Sequence, residues 1–237
     1  MYKEKMLITS IDVDDHLCLK VSSIFKFFQQ VSTNHCEKLN IGQKDTIDKG
    51  VCWVVTKMQF VIHKYPKMND EVIVTTHPGV TNKFLFPRFY EMYDKKGNLL
   101  ISGSSIWVLI DMNTRHVVLK PDLGKNIPGE KNKDDIEIPE SITVQDELVK
   151  VEDRKVRYND IDLNGHLNNT KYVDYIIDLN DREFYSQKMV KEIIINYDKE
   201  IRDGNVVSLL VNKDRSIVRG EVEGKTSFTA LLIYGDR

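Results

Sequence analysis

Cysteine is scarce in this chain: Cys18, Cys36 and Cys52 are the only thiols in 237 residues, an odd number with no CxxC pair among them. A disulfide framework and a thiolate zinc site both lack the spacing they need, so neither a metal nor a cofactor is expected. Long apolar runs are missing too. Nothing approaches the roughly 18 apolar residues that cross a bilayer, and the start, Met1-Tyr2-Lys3-Glu4-Lys5, carries no h-region or Arg/Ser-rich transit pattern. The expected address is the cytoplasm, with no membrane partner. Charge of one sign is absent as well: 34 Lys and Arg stand against 36 Asp and Glu, a formal net charge of −2. That balance gives no drive toward nucleic acid.

What is present is an ordinary soluble composition, 41% hydrophobic and 30% charged, in a chain long enough to bury a large core. A charged stretch punctuated by Pro121, Pro128 and Pro139 divides it. The division expected is a first domain over 1–120, a linker over 121–148 and a second domain over 149–237. The two sides repeat one order of elements. In the first, a short strand near 6–11 precedes a helix over about 22–39 with Ile24, Phe27, Phe28, Val31, His35 and Leu39 near one face, and Gly42 reads as its stop signal. Strand patterns follow over 51–63, 71–76, 84–93 and 99–111. In the second, a strand near 150–157 precedes a helix over about 168–179, then strands near 191–199, 206–211, 216–223 and 227–234. One long helix followed by an antiparallel meander, repeated once, predicts an α+β chain built as a tandem (double) hotdog, each half a sheet wrapped around its helix.

Chemistry concentrates in one stretch, Asp162-Leu163-Asn164-Gly165-His166-Leu167-Asn168-Asn169-Thr170-Lys171-Tyr172. An acid, an amide and an imidazole alternate in a loop that runs into a helix, whose first turn offers unpaired N–H groups to a developing oxyanion. Taken singly these residues have plainer readings: Asp162 and Asn164 as turn residues, Asn168 and Asn169 as caps, His166 as a structural hydrogen-bonding group. Elsewhere, His35 and Cys36 are neighbours on a helix and point apart, which makes a poor metal pair. His63 sits in a place loosely analogous to Glu200 in the repeat. The first half has only Asp14-Asp15-His16 before its helix and is read as catalytically silent.

The 162–172 stretch resembles the acyl-acyl carrier protein thioesterases of plants and bacteria, whose signature reads acid-x-Asn-x-His-x-Asn-Asn-x-Lys-Tyr. A second matching block lies in the first half, Arg88-Phe89-Tyr90-Glu91-Met92-Tyr93-Asp94 with Gly97, then Ser104 to Asp111 and Thr114-Arg115. The resemblance implies a double hotdog that hydrolyses long- or medium-chain acyl-carrier-protein thioesters and releases free fatty acid. It implies catalytic roles for Asp162, Asn164, His166 and Glu200: Asp162 as base or nucleophile, Glu200 orienting water or His166, Asn164 holding the oxyanion. It also implies an acyl chain lodged in the first half, with Ile24, Phe28, Trp53 and Trp107 as its lining. Plant members carry a Cys where Ile201 stands, so a thiol nucleophile has no place here. The partner implied is acyl carrier protein with its phosphopantetheine arm, met by a local patch drawn from Lys171, Lys188, Lys191 and Lys199, in a monomer or homodimer.

Two other functions compete. A hotdog dehydratase of 3-hydroxyacyl thioesters also needs a His and an acid, but not the Asn164 and Glu200 pattern. A non-catalytic acyl-ligand sensor could keep the fold, yet would have no use for the intact polar set.

Overall fold

The computed structural model describes residues 1–119, 127–131 and 136–237, so Pro121 and part of the expected linker lie outside the described residues. The chain divides into two compact units, Met1–Pro139 and Glu140–Arg237. In the first unit β1 (Tyr2–Leu7), α1 (Val21–Lys38) and a short α2 (Gln43–Ile47) are followed by β2 (Val51–Ile62), β3 (Glu71–Pro78), β4 (Phe86–Asp94) and β5 (Leu99–Asp111). Its antiparallel sheet runs β1-β3-β4-β5-β2. The second unit has β6 (Val149–Lys155), α3 (Asn169–Ile177), α4 (Arg182–Gln187), β7 (Lys188–Tyr197), β8 (Val206–Val211), β9 (Ile217–Val222) and β10 (Lys225–Asp236). Its sheet runs β6-β8-β9-β10-β7, the same topology element for element. The protein is a tandem hotdog. Among the described residues no helix is long and apolar enough to cross a membrane.

The helix of the first unit forms because its apolar residues recur at helical spacing and meet the sheet. Ile24, Phe28 and Val31 are fully buried. Phe28 stacks on Phe60 at 4.9 Å and leans on Tyr90 at 5.1 Å, while Phe25 meets Phe60 edge-on at 4.6 Å. Gly42 does not stop this helix. The chain turns at Asn40 with φ +54°, and Gly42 instead opens α2, its N–H donating to Asp45. The first strand begins at Tyr2 and not near residue 6, because its polar residues alternate along an edge: Lys3 and Lys5 are exposed while Tyr2 and Glu4 are half-buried.

A buried cation sits beside α1. The Arg88 guanidinium donates to His35 Nδ1 at 3.1 Å, Thr76 Oγ1 at 3.2 Å and Cys36 Sγ at 3.3 Å, all neutral acceptors. His35, stacked on Tyr2 at 5.2 Å, is pushed down to about 4, first by burial and then by Arg88. The unfolded chain therefore takes up a proton at His35 that the folded chain refuses. The stability this contributes is present in full above about pH 6.5 and is lost as the pH falls toward 4, by at most about 3 kcal/mol and less where solvent reaches the ring. Urea unfolding at pH 7 and pH 4.5 should show a larger loss for the wild type than for His35→Gln, whose amide oxygen still accepts from Arg88. Equal losses would show that His35 stays neutral for no energetic reason.

Candidate active site

The loop into each helix is built by one carboxylate. In the second unit Asp162 Oδ1 accepts the backbone N–H of Asn164 at 2.8 Å and of His166 at 3.2 Å, while the Asp162 N–H donates to the His166 carbonyl at 2.8 Å. Asp is favoured there because its side chain can close a turn on its own backbone. Gly165 supplies the left-handed residue, φ +79°, and the Leu167 N–H then donates to the Ile201 carbonyl at 2.7 Å. That last bond, with the bridge between His166 and Arg202, lays the loop against the segment that follows β7. Asn168 caps α3, its Oδ1 accepting from the Thr170 N–H and hydroxyl, both at 2.9 Å.

The result is a contact between groups far apart in sequence: His166 Nε2 lies 3.1 Å from Glu200 Oε2, with both side chains mostly buried at 20% and 28% exposure. The mostly exposed Arg202 guanidinium stands 3.7 Å from the same carboxylate oxygen. Asp162 shares the loop with His166 and keeps one oxygen, Oδ2, outside any hydrogen bond among the described residues. Asn164 is exposed; its backbone is engaged by Asp162 and its side-chain amide makes no hydrogen bond among the described residues. A carboxylate held by one oxygen beside a carboxylate–imidazole pair can activate water or attack an acyl carbon.

The first unit holds the same loop with different chemistry. Asp14 Oδ1 accepts the N–H groups of His16 and Cys18, both at 2.9 Å, Leu17 takes the left-handed position at φ +60°, and the Leu19 N–H donates to the Pro66 carbonyl at 2.9 Å. Bond for bond, His16 stands for Asn164, Cys18 for His166 and Pro66 for Ile201. Glu200 is therefore matched by Tyr65, not by His63, which directly follows the end of β2 with Nε2 2.9 Å from Ser102 Oγ. The slip of two residues arises because the end of a strand pairing is a tertiary fact with no mark in the sequence. Leu17 also sets an expectation for Gly165, where an added Cβ meets nothing within 4 Å. Gly165→Ala should cost about 1 kcal/mol of stability, the penalty of a side chain in that conformation, and leave turnover within a few-fold. A denaturant melt with a kinetic assay checks both, and a loss of activity without loss of stability would mean that the loop must flex to work.

The residues expected to line an acyl site fall into two environments. Ile24 and Phe28 belong to the closed aromatic core. Trp53 and Trp107 are half-buried and pack on a second cluster of Ile41, Phe86 and Leu109. Trp53 meets Phe86 edge-on at 5.0 Å and donates to the Ile41 carbonyl at 2.9 Å; Trp107 donates to Ser105 Oγ at 2.7 Å. Of the expected basic patch, Lys171 faces Asp174 at 3.5 Å and Asp160 at 3.8 Å, Lys188 pairs with Asp236 at 2.6 Å, and Lys191 donates to Met189 Sδ at 3.0 Å. Lys199 is exposed with no acid partner among the described residues.

Comparison with known proteins fits this arrangement. The chain is similar to the chloroplastic acyl-[acyl-carrier-protein] hydrolase FATB3 of Cuphea viscosissima, 23% identical over 91% of this chain and 55% of that protein. It is similar to the chloroplastic palmitoyl-acyl carrier protein thioesterase of Arabidopsis thaliana, 24% identical over 89% of this chain and 54% of that protein. It thus spans about half the length of these curated relatives. Among solved structures, an acyl-ACP thioesterase from Bacteroides thetaiotaomicron superposes with a TM-score of 0.89 at 21% identity, covering 98% of this chain and 97% of the other. The 12:0-ACP thioesterase from Umbellularia californica gives 0.84 at 20% identity, covering 100% and 97%. At such identities these two establish the shared fold. The family models for the acyl-ACP thioesterase N-terminal and C-terminal domains match residues 1–123 and 144–232. With both domains matched in order along nearly the whole length, the chain belongs to the acyl-ACP thioesterase family.

Proposed function

We propose that this protein hydrolyses the thioester of acyl-acyl carrier protein and releases free fatty acid, ending chain elongation. The observation that carries the reading is the 3.1 Å contact between His166 and Glu200, in the one half that has an imidazole and a carboxylate at those positions. In the other half Cys18 and Tyr65 occupy them, and the imidazole of that loop, His16, faces Asp15 at 3.7 Å instead. Family membership and the names of the relatives support the substrate class.

In the proposed reaction Glu200 orients the imidazole and stabilises it when it takes a proton. Asp162, anchored through Oδ1, presents Oδ2 either to water or directly to the thioester carbon. Water attack yields acid and thiol in one addition–elimination, with the water proton passing to the sulfur through the base. Attack by Oδ2 expels the thiolate, forms a mixed anhydride, and water then returns the free carboxylate. Asn164, exposed at the loop tip near the start of α3, supplies an amide donor for the carbonyl oxygen as charge develops on it. No thiol takes part, since position 201 is an isoleucine and Cys18, Cys36 and Cys52 all belong to the first unit.

The acyl chain is assigned to the first half. Of the four lining candidates, the half-buried Trp53 and Trp107 are the ones a ligand can reach without opening the core. Exposed Lys199 and Arg202, next to Glu200, are the cations proposed to meet an acidic carrier protein. The three free cysteines agree with a reducing compartment, and the cytoplasm is the one proposed. The test is hydrolysis of purified acyl carrier protein thioesters of several lengths, with the released acids identified and coenzyme A thioesters run beside them. Formation of unsaturated thioester without free acid would replace this reading with a dehydratase.

A further inference from the structure

The fourth residue of each main helix points to the same place in its unit and differs in one functional group. It is Ile24 in α1 and Tyr172 in α3. Ile24 is fully buried and Tyr172 is 4% exposed. The Tyr172 ring packs edge-on against Tyr197 and against Phe228, each at 5.1 Å between centroids. An apolar side chain meets that packing need, as Ile24 does in the first unit. A hydroxyl carried into the same interior costs free energy unless it has something to do.

Its surroundings show what that is. The hydroxyl takes a hydrogen bond from the Ile201 backbone, and the Asp162 carboxylate is near enough to act on it electrostatically. Burial first, and Asp162 with it, hold the phenol well above its ordinary range, so it remains protonated. A phenol has one donor and accepts through its lone pairs; accepting from Ile201 leaves the O–H to give. Ile201 follows Glu200, and its carbonyl binds Leu167, the residue after His166. The hydroxyl thus stands where the segments bearing Asp162, His166 and Glu200 meet. It occurs only in the unit that has all three.

We propose that Tyr172 is a positioning residue of the hydrolytic site, its hydroxyl bridging α3 to the Glu200–Ile201 backbone beside the Asp162 carboxylate. The distance between Asp162 and the His166–Glu200 pair is set by that bridge. The proposal rests on the thioesterase reading above.

Tyr172→Phe tests it, because Phe keeps both edge-on ring contacts and removes the hydroxyl alone. The expected result is a fall in kcat of about 10- to 100-fold at nearly unchanged KM, the scale of a misplaced reacting group, with Tm held within a few degrees. The pH profile of kcat/KM should move as well, since the hydroxyl lies within electrostatic reach of the Asp162 carboxylate and bridges to the segment that carries Glu200 beside the His166 imidazole. The groups around that carboxylate and imidazole are Tyr172 from α3 and Glu200 with Arg202 from the segment after β7; at the helix entry Asp160 is engaged separately, by the Tyr175 hydroxyl at 3.0 Å and by Lys171 at 3.8 Å. Tyr172→Ile, which copies the first unit, removes ring and hydroxyl together and reports the packing share. Wild-type kcat with a wild-type pH profile in the Phe variant would overturn the proposal. The His166 ring titration, followed by NMR without substrate, separates this failure from that of the function. If the Phe substitution leaves the titration unmoved, the positioning role falls. If it moves while the wild type hydrolyses no acyl carrier thioester, the thioesterase reading falls instead.

Discussion

His166→Ala is expected to lower kcat/KM by about 100- to 10,000-fold for every acyl length, the span usual for a group that moves a proton in the transition state. On the proposed reaction the loss should be uniform, because the imidazole would take a proton at the thioester group that all substrates share, and should appear in kcat more than in KM. Glu200→Gln keeps a hydrogen-bonding side chain 3.1 Å from the ring but removes the charge that stabilises a protonated imidazole, so it should fall between the wild type and His166→Ala. The double variant should be little worse than the worse single one, since the two act as a unit. Stopped-flow or endpoint hydrolysis of two acyl lengths decides the matter. A His166→Ala protein with half the wild-type rate would mean that the contact is a structural ion pair and that the chemistry lies elsewhere.

The second large effect concerns stability and its separation from specificity. Phe28→Ala should cost about 3–5 kcal/mol, because it empties a fully buried site between the Phe60 and Tyr90 rings. A domain of this size would lose several degrees of Tm at the least. Trimming Trp53 should cost less, since that ring is half-buried at the rim of a smaller cluster, and it should change which acyl length is preferred. Each methylene of the acyl chain taken out of water is worth about 0.8 kcal/mol, close to fourfold in relative kcat/KM. Thermal melts and a chain-length profile read the two effects independently. A Phe28→Ala protein as stable as the wild type, with an altered length profile, would exchange the roles of the two clusters.

Much of the architecture is legible because it is periodic. The first main helix is marked by apolar residues at helical spacing, and the span they predict lies within a residue of Val21–Lys38 at each end. The meander strands carry enough Val, Ile, Phe and Tyr to declare themselves. What escapes is short or polar. The helices Gln43–Ile47 and Arg182–Gln187 last hardly more than a turn, too brief for a period to emerge. The edge strand Tyr2–Leu7 alternates charge with half-buried polar groups, so no apolar rhythm announces its start. At the site, Asp162, Asn164 and His166 can be grouped because they are local. Glu200 comes only through resemblance, since its approach to His166 depends on the chain returning past a strand. Tyr172 is in plain view, but in the sequence it reads as one more apolar helix residue; its hydroxyl matters only once the backbone of Ile201 is beside it.

The twin loops also decide how a loss of function at Asp162 can be interpreted. The Asp14 carboxylate accepts the same pair of backbone N–H groups, in a loop whose imidazole, His16, faces its chain neighbour Asp15 at 3.7 Å and has no counterpart of Glu200. Any substitution at Asp162 removes two things together, an architectural tie and a reactive oxygen. The molecule carries its own blank for the first of these. Hydrogen exchange at the His16 and Cys18 amides, in a chain altered at Asp14, measures how far such a loop opens when its carboxylate goes. Subtracting that opening from the behaviour of the Asn164 and His166 amides in an Asp162 variant leaves the part of the defect that belongs to chemistry.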